Sequence, residues 1–150
     1  MSVTTILAQR RAQVTWENDL IKGKGTLRFG SGAVPELPVT WASRTERSDG
    51  KTSPEELLAA AHASCYAMAL SSTLARNGTP PTRLEVSAEC TLDKVGDGPK
   101  VTTMKLTVTG QVPSMNQAQF QKAANDAEKV CPISNAIRNN VAITLTANLA

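Results

Sequence analysis

Polar and apolar residues alternate in short runs over most of this chain, but between Pro54 and Arg76 the polar positions thin out. Leu57-Leu58-Ala59-Ala60-Ala61-His62-Ala63-Ser64-Cys65-Tyr66-Ala67-Met68-Ala69-Leu70 is apolar on nearly every side, which predicts one long helix. Ser53 suits the N-cap and Pro54 the first helical position, where a missing N–H costs nothing; Glu56 completes a Ser-x-x-Glu capping box. Glu55 and Glu56 also favour the positive end of the helix dipole. At the far end Gly78 can take the left-handed C′ position, and Pro80-Pro81 forbid continuation. A helix of about 24 residues spans roughly 36 Å. Being apolar all round, it should be buried on most sides. Its polar ends, with His62 and Ser64 in the middle, argue against a membrane span.

The flanking segments read as strands and shorter helices. Ala12 to Glu17 alternates like a half-buried strand, Asn18-Asp19 turns, and Gly23-Lys24-Gly25 leads into Thr26 to Phe29, giving a hairpin or meander. Leu37 to Trp41 is a short extended piece whose Pro38 implies an edge. Ala42 to Lys51 is polar and charged, and reads as a loop running into the long helix. Leu84, Val86, Ala88, Cys90 and Leu92 share one strand face. Gly96-Asp97-Gly98-Pro99 makes a turn, and Val101 to Val112 returns with Met104, Leu106 and Val108 inward. Asn116 should cap a second helix ending near Val130. Pro132 starts a short third helix with Cys131 at its N-cap, and Val141 to Thr146 closes as a strand. This order predicts an α+β fold with a largely antiparallel sheet. Residues 1–150 read as a single domain with no linker that would split it.

Composition changes that picture in two ways. Aromatic residues make up only 3% of the chain, so the core must come from Ala, Val, Leu, Ile and Thr. So small a chain has difficulty covering a long apolar helix from within, which points to a homodimer with a large interface. The net charge of +3 is spread without a basic run, which excludes a nucleic-acid surface. The first eleven residues lack the apolar run of a secretory signal, and three cysteines is an odd number. Together these predict a reducing, cytoplasmic setting with thiols kept for chemistry or packing.

Each cysteine has a plain reading and a chemical one. Cys90, inward on a strand, packs as a small hydrophobe. Cys131 at a helix N-cap faces unpaired N–H groups that favour thiolate; the plain alternative is a mediocre cap. Cys65 lies mid-helix among apolar neighbours, where desolvation raises its pKa. It is either an inert core thiol or a reactive one that borrows a cation, for which Arg44 and Arg47 in the preceding loop are the natural donors. His62, one turn before Cys65, shares its helix face and could form a Cys–His dyad for acyl transfer. The plainer reading is a buried imidazole bonded to backbone or carboxylate. Zinc fits poorly, because no C-x-x-C or H-x-x-x-H pairing exists.

Thr52-Ser53-Pro54-Glu55-Glu56-Leu57-Leu58 followed by Ala61-His62-Ala63-Ser64-Cys65, with Val130-Cys131-Pro132-Ile133-Ser134 downstream, resembles the OsmC/Ohr family. This family comprises the osmotically inducible protein C and organic hydroperoxide resistance proteins. Trp16-Glu17, Gly23-Lys24-Gly25 and Val112-Pro113 extend the resemblance over essentially the whole chain, with the OsmC branch favoured. The resemblance implies an OsmC-like fold, an intertwined homodimer and a thiol peroxidase needing no cofactor. Cys65 would become a sulfenic acid on reducing an organic hydroperoxide, with hydrogen peroxide reduced less well. Cys131 would then condense with it to a disulfide, and an external dithiol (a lipoyl protein or thioredoxin-like) would reduce that bond. The family's Glu, ten residues before the reactive Cys, lands on Glu55, and its Arg on Arg44, with Arg47 as the other candidate. Ten residues of straight helix separate Glu55 from Cys65 by roughly 15 Å and turn it about 80° away. The expectation is therefore that Arg44 and Glu55 of one subunit serve Cys65 of the other. Met68, Phe120 and Ile133 are candidate lining residues for an alkyl group. The rival readings are the Cys65/His62 transferase or hydrolase and a non-catalytic binding dimer.

Overall fold

In the computed structural model, which describes residues 2–150, the opening alternation forms β1 (Ala12–Glu17) paired antiparallel with β2 (Lys24–Phe29). β3 (Leu37–Val39) adds to the other side of β2, so Pro38 does lie on an edge strand. Gly23 and Gly25 are dictated by contact: a Cβ on Gly23 would sit 2.1 Å from the Asp19 carbonyl oxygen, and one on Gly25 2.9 Å from the Trp16 ring. β1 differs from the half-buried expectation, since all six of its residues are exposed, Val14 and Trp16 included. Its alternation leaves an apolar face uncovered within this chain.

The charged stretch after β3 is not all loop. Thr40 caps a short helix, α1 (Trp41–Thr45), through a reciprocal capping box with Ser43, whose polar side chain the loop reading had passed over. The Ser43 hydroxyl also donates to the Thr52 carbonyl at 3.0 Å, and the Thr52 N–H donates to the Pro38 carbonyl at 3.1 Å. α1 is thereby stapled to the strand before it and to the segment after it. These elements make up the first of two compact units, which ends at Pro54.

The second unit, Glu55 onward, holds the long helix α2 (Pro54–Arg76), β4 (Arg83–Val95), β5 (Gly98–Gln111), α3 (Gln117–Val130), α4 (Pro132–Ile137) and β6 (Ala142–Leu149). α2 stops in a Schellman motif: Gly78 has φ 83°, Thr79 N–H donates to the Leu74 carbonyl and Gly78 N–H to that of Ala75. Asn116 caps α3 with a capping box through Gln119. β4 and β5 pair antiparallel, but β6 pairs parallel to β5. The pairing is thus largely antiparallel, as expected, with one parallel exception, because α3 and α4 carry the chain back along the sheet before β6 begins.

Tyr66, Leu70 and Leu74 of α2 share one apolar cluster with Leu106 and Val108 of β5 and with Phe120, Ala124 and Ala127 of α3. Met104, Leu106 and Val108 are fully buried, as their alternation requires. The Tyr66 hydroxyl stays satisfied in this dry setting by donating to the Ala124 carbonyl at 2.9 Å. α2 is less covered than its composition suggests. By length and composition it could cross a bilayer, yet it buries Glu55 and His62, and the opposite side leaves Met68 68% exposed.

One close fit tests this packing. A Cβ on Gly110 would come 2.5 Å from the Phe120 ring, whereas one on Gly98 in the same strand meets nothing within 4 Å. Phe120 is fully buried and has no room to yield. Gly110→Ala should cost about 1–3 kcal/mol of unfolding free energy, and Gly98→Ala no more than about 0.5 kcal/mol. Urea denaturation of both variants checks the difference.

Candidate thiol site

Cys131 is both the last residue of the α3 connection and the N-cap of α4, as its place before Pro132 suggests. It is fully buried, and its thiol makes no capping hydrogen bond. The first turn of α4 lies near Cys65, whose thiolate the Ile133 N–H favours. Pro132 has no N–H, so Ile133 offers the first donor of that turn.

Cys131 lies close enough to Cys65 to act on its thiol, so the fold brings together two sulfurs far apart in the chain; neither they nor Cys90 are in a disulfide. Burial pushes the Cys65 thiol above its ordinary 9.0; the Ile133 N–H works against that rise, and the hydrogen bond and charge of Cys131 add to it. Ile133 is half-buried beside this pair, and Met68 lies one turn beyond Cys65 on an exposed face. Phe120, the third candidate lining residue, is instead fully buried in the core against Gly110. An inward-facing ring on an amphipathic helix reads the same in sequence whether it meets a pocket or a strand.

His62 is fully buried, and its Nε2 lies 2.7 Å from the Ser134 hydroxyl. The imidazole is therefore satisfied on one side, as the plainer reading held, but by a hydroxyl rather than by backbone or carboxylate. Nδ1 is buried without a hydrogen-bond partner. Burial holds the His62 pKa below its ordinary 6.5; the Glu128 carboxylate opposes this and the Arg138 guanidinium assists it. Glu128 and Arg138 are themselves ion-paired at 2.9 Å. The ring is engaged with Ser134, and His62 is not among the groups that shift the Cys65 thiol.

Glu55 is buried in the first turn of α2 and acts on Cys90, whose thiol burial and then the Glu55 charge push up. It is absent from the groups that shift Cys65, in keeping with the ten-residue separation along the helix. Arg44 is half-buried on α1, its guanidinium 5.8 Å from the centre of the Trp41 ring. Arg47 is 86% exposed and lies 3.8 Å from Asp49. Of the two candidates, Arg44 is the one held in a defined position. Among the described residues no group of three or more His, Cys, Asp or Glu could hold a metal.

Ser134 and the Ile133 N–H are the two participants that sequence reasoning missed. The signal for Ser134 was its spacing: it follows Cys131 by three, as Cys65 follows His62.

Comparison with known proteins bears on the whole arrangement. The family model described as OsmC-like protein matches residues 47–146. Peroxiredoxin OsmC of Escherichia coli is 35% identical over 134 residues, spanning 89% of this chain and 93% of the relative. An organic hydroperoxide resistance protein of Xanthomonas axonopodis pv. citri is 33% identical over 98 residues, or 63% of this chain and 66% of the relative. In structure, the organic hydroperoxide resistance protein OhrB of Bacillus subtilis superposes with a TM-score of 0.74 at 24% identity. That match covers 92% of this chain and 98% of OhrB and shows a common fold. With motifs, fold and sequence similarity in agreement, the chain belongs to the OsmC family.

Proposed function

We propose that this protein is a cysteine-based peroxidase that reduces organic hydroperoxides. The observation that carries the reading is the neighbouring pair Cys65–Cys131, one sulfur on a long helix and the other at the start of a short one. The Cys65 thiolate attacks the distal peroxide oxygen; an S–O bond forms, the O–O bond breaks, and the alkoxide takes up a proton to leave as alcohol. The Cys131 thiolate then attacks the sulfenic sulfur; an S–S bond forms, and the hydroxyl leaves and is protonated to water. An external dithiol, lipoyl or thioredoxin-like, restores both thiols by exchange.

Burial alone leaves Cys65 a poor thiolate at neutral pH, so a cation has to be supplied. Arg44 is the proposed donor, oriented by Glu55, with both reaching Cys65 from the second subunit of a homodimer. The guanidinium would stabilise the thiolate and the oxygen that gains charge as O–O breaks. The uncovered face of β1 and the exposed side of α2 are what such a dimer would bury. Ile133 and Met68, apolar and close to Cys65, suit an alkyl hydroperoxide better than hydrogen peroxide. Reduced thiols of this kind belong in the cytoplasm.

The test is turnover of cumene hydroperoxide against hydrogen peroxide with lipoyl and thioredoxin-type reductants, alongside two variants. Cys65→Ser should consume no peroxide. Cys131→Ser should consume one equivalent and stop as a sulfenic acid that a dimedone adduct reveals by mass. Consumption by Cys65→Ser at the wild-type rate would refute the reading.

The charge argument makes its own prediction. Without its cation Cys65 has a pKa raised above its ordinary 9.0. In Arg44→Met the rate of peroxide reduction should therefore climb about tenfold per pH unit through pH 9, while the wild type levels off at lower pH. Stopped-flow pH profiles distinguish the two. Sedimentation of the wild-type protein should give twice the 15.9 kDa chain mass; a monomer would leave Cys65 without the proposed cation.

A further inference from the structure

Two helical pairs face one another across α2 and α4. On α2, His62 and Cys65 are one turn apart; on α4, Cys131 and Ser134 are one turn apart. Cys65 meets Cys131, and His62 Nε2 meets the Ser134 hydroxyl at 2.7 Å. Residues three apart share a helix face, so the second contact sits one turn from the first and the two helices run antiparallel at this point. Both His62 and Ser134 are fully buried, so no water competes for their bond. α4 has six residues and cannot hold its own shape. These two contacts tie it to α2, and one of them is the reacting pair itself.

We propose that His62 is a positioning residue for the second thiol: its imidazole, acting through Ser134, sets where α4 holds Cys131 and so governs disulfide formation rather than peroxide reduction. The proposal rests on the peroxidase reading and adds to it a division of labour along one helix face. Cys65 keeps its place on α2 whether or not His62 is bonded, because Tyr66 and Leu70 beside it anchor α2 in the core independently. The other anchors of Cys131 and α4 run to α3, the Cys131 N–H donating to the Ala127 carbonyl at 3.0 Å and Arg138 pairing with Glu128, whereas the His62–Ser134 bond ties α4 to α2. The Cys131 sulfur has to close on Cys65 to a covalent S–S length of about 2.05 Å with the dihedral that bond demands, and a helix slipped along α2 cannot deliver it. The approach balances as given above: the Cys131 thiolate displaces hydroxide from the sulfenic sulfur, and His62 neither gains nor loses a proton.

A single-turnover experiment separates the steps. The reduced protein is mixed with one equivalent of cumene hydroperoxide; peroxide loss reports the first step, and quenched thiol counts with dimedone trapping report the second. His62→Leu and Ser134→Ala should lose peroxide within about threefold of the wild-type rate while disulfide formation slows on the order of 10–100-fold, the cost of an ångström-scale misplacement. Sulfenic acid should accumulate, and excess peroxide should drive it to sulfinic acid, seen as added mass on the Cys65 peptide. His62→Gln, whose amide can occupy the Nε2 position, and Ser134→Thr, which keeps the hydroxyl, should restore disulfide formation; a role in folding alone would not be rescued so selectively. Disulfide formed at the wild-type rate in both Ser134→Ala and His62→Leu overturns this proposal alone. Equal slowing of both steps in every variant, the rescue variants included, overturns it as well. A wild-type protein that consumes no peroxide overturns the peroxidase reading and this proposal with it.

Discussion

Six residues of helix do not stay helical in water unless something outside them holds them. The chemical arrangement here depends on how Pro132–Ile137 is held against the middle of the long helix. The Ile133 N–H lies near the Cys65 sulfur, the two thiols are neighbours, and an imidazole meets a hydroxyl one turn away. The same atoms that give the short helix its shape bring the two sulfurs together. α2 can serve as the fixed partner because Tyr66, Leu70 and Leu74 commit its other face to the sheet and to α3. Its long apolar run therefore has two duties, one face for the core and one for the thiols.

Most of the fold was written in periodicity and punctuation. The alternation in β5 placed Met104, Leu106 and Val108 inward, and Asn116, Pro132 and Gly78 marked helix ends that the structure reproduces. What escaped was decided by partners distant in the chain. No local signal states whether β6 joins its sheet parallel or antiparallel, because that depends on where α3 and α4 deposit the chain. The short α1 was missed for the opposite reason: its Thr40/Ser43 box was in view but lay within a stretch too polar and brief to show a period. The uncovered β1 shows that alternation reports a side meant for burial without saying what buries it.

The site was legible in its sulfurs and less so in their surroundings. Motif spacing singled out Cys65 and Cys131, and folding made them neighbours. Desolvation of a mid-helix thiol was expected from its apolar flanks, and burial is the leading cause of its raised pKa. The Ile133 N–H could not be read, since a backbone group has no letter of its own. His62 was correctly a buried and bonded ring, but its partner lies 72 residues away. Phe120 was misplaced because a large apolar side chain fits a core and a substrate pocket equally well until the facing residue, here Gly110, is known.

The parallel pairing of β5 with β6 has a topological consequence. Cys131 sits on the crossover between these strands, while Cys65 precedes the whole β4–β5 hairpin. A covalent link between the two sulfurs would tie nearly half the polypeptide into a closed ring of about 65 residues, enough in chain-entropy terms to disfavour the unfolded ensemble by about 4 kcal/mol. A molecule oxidised at that pair should then resist unfolding more than the reduced one, so that making and breaking such a bond would alternately lock and release the scaffold around it.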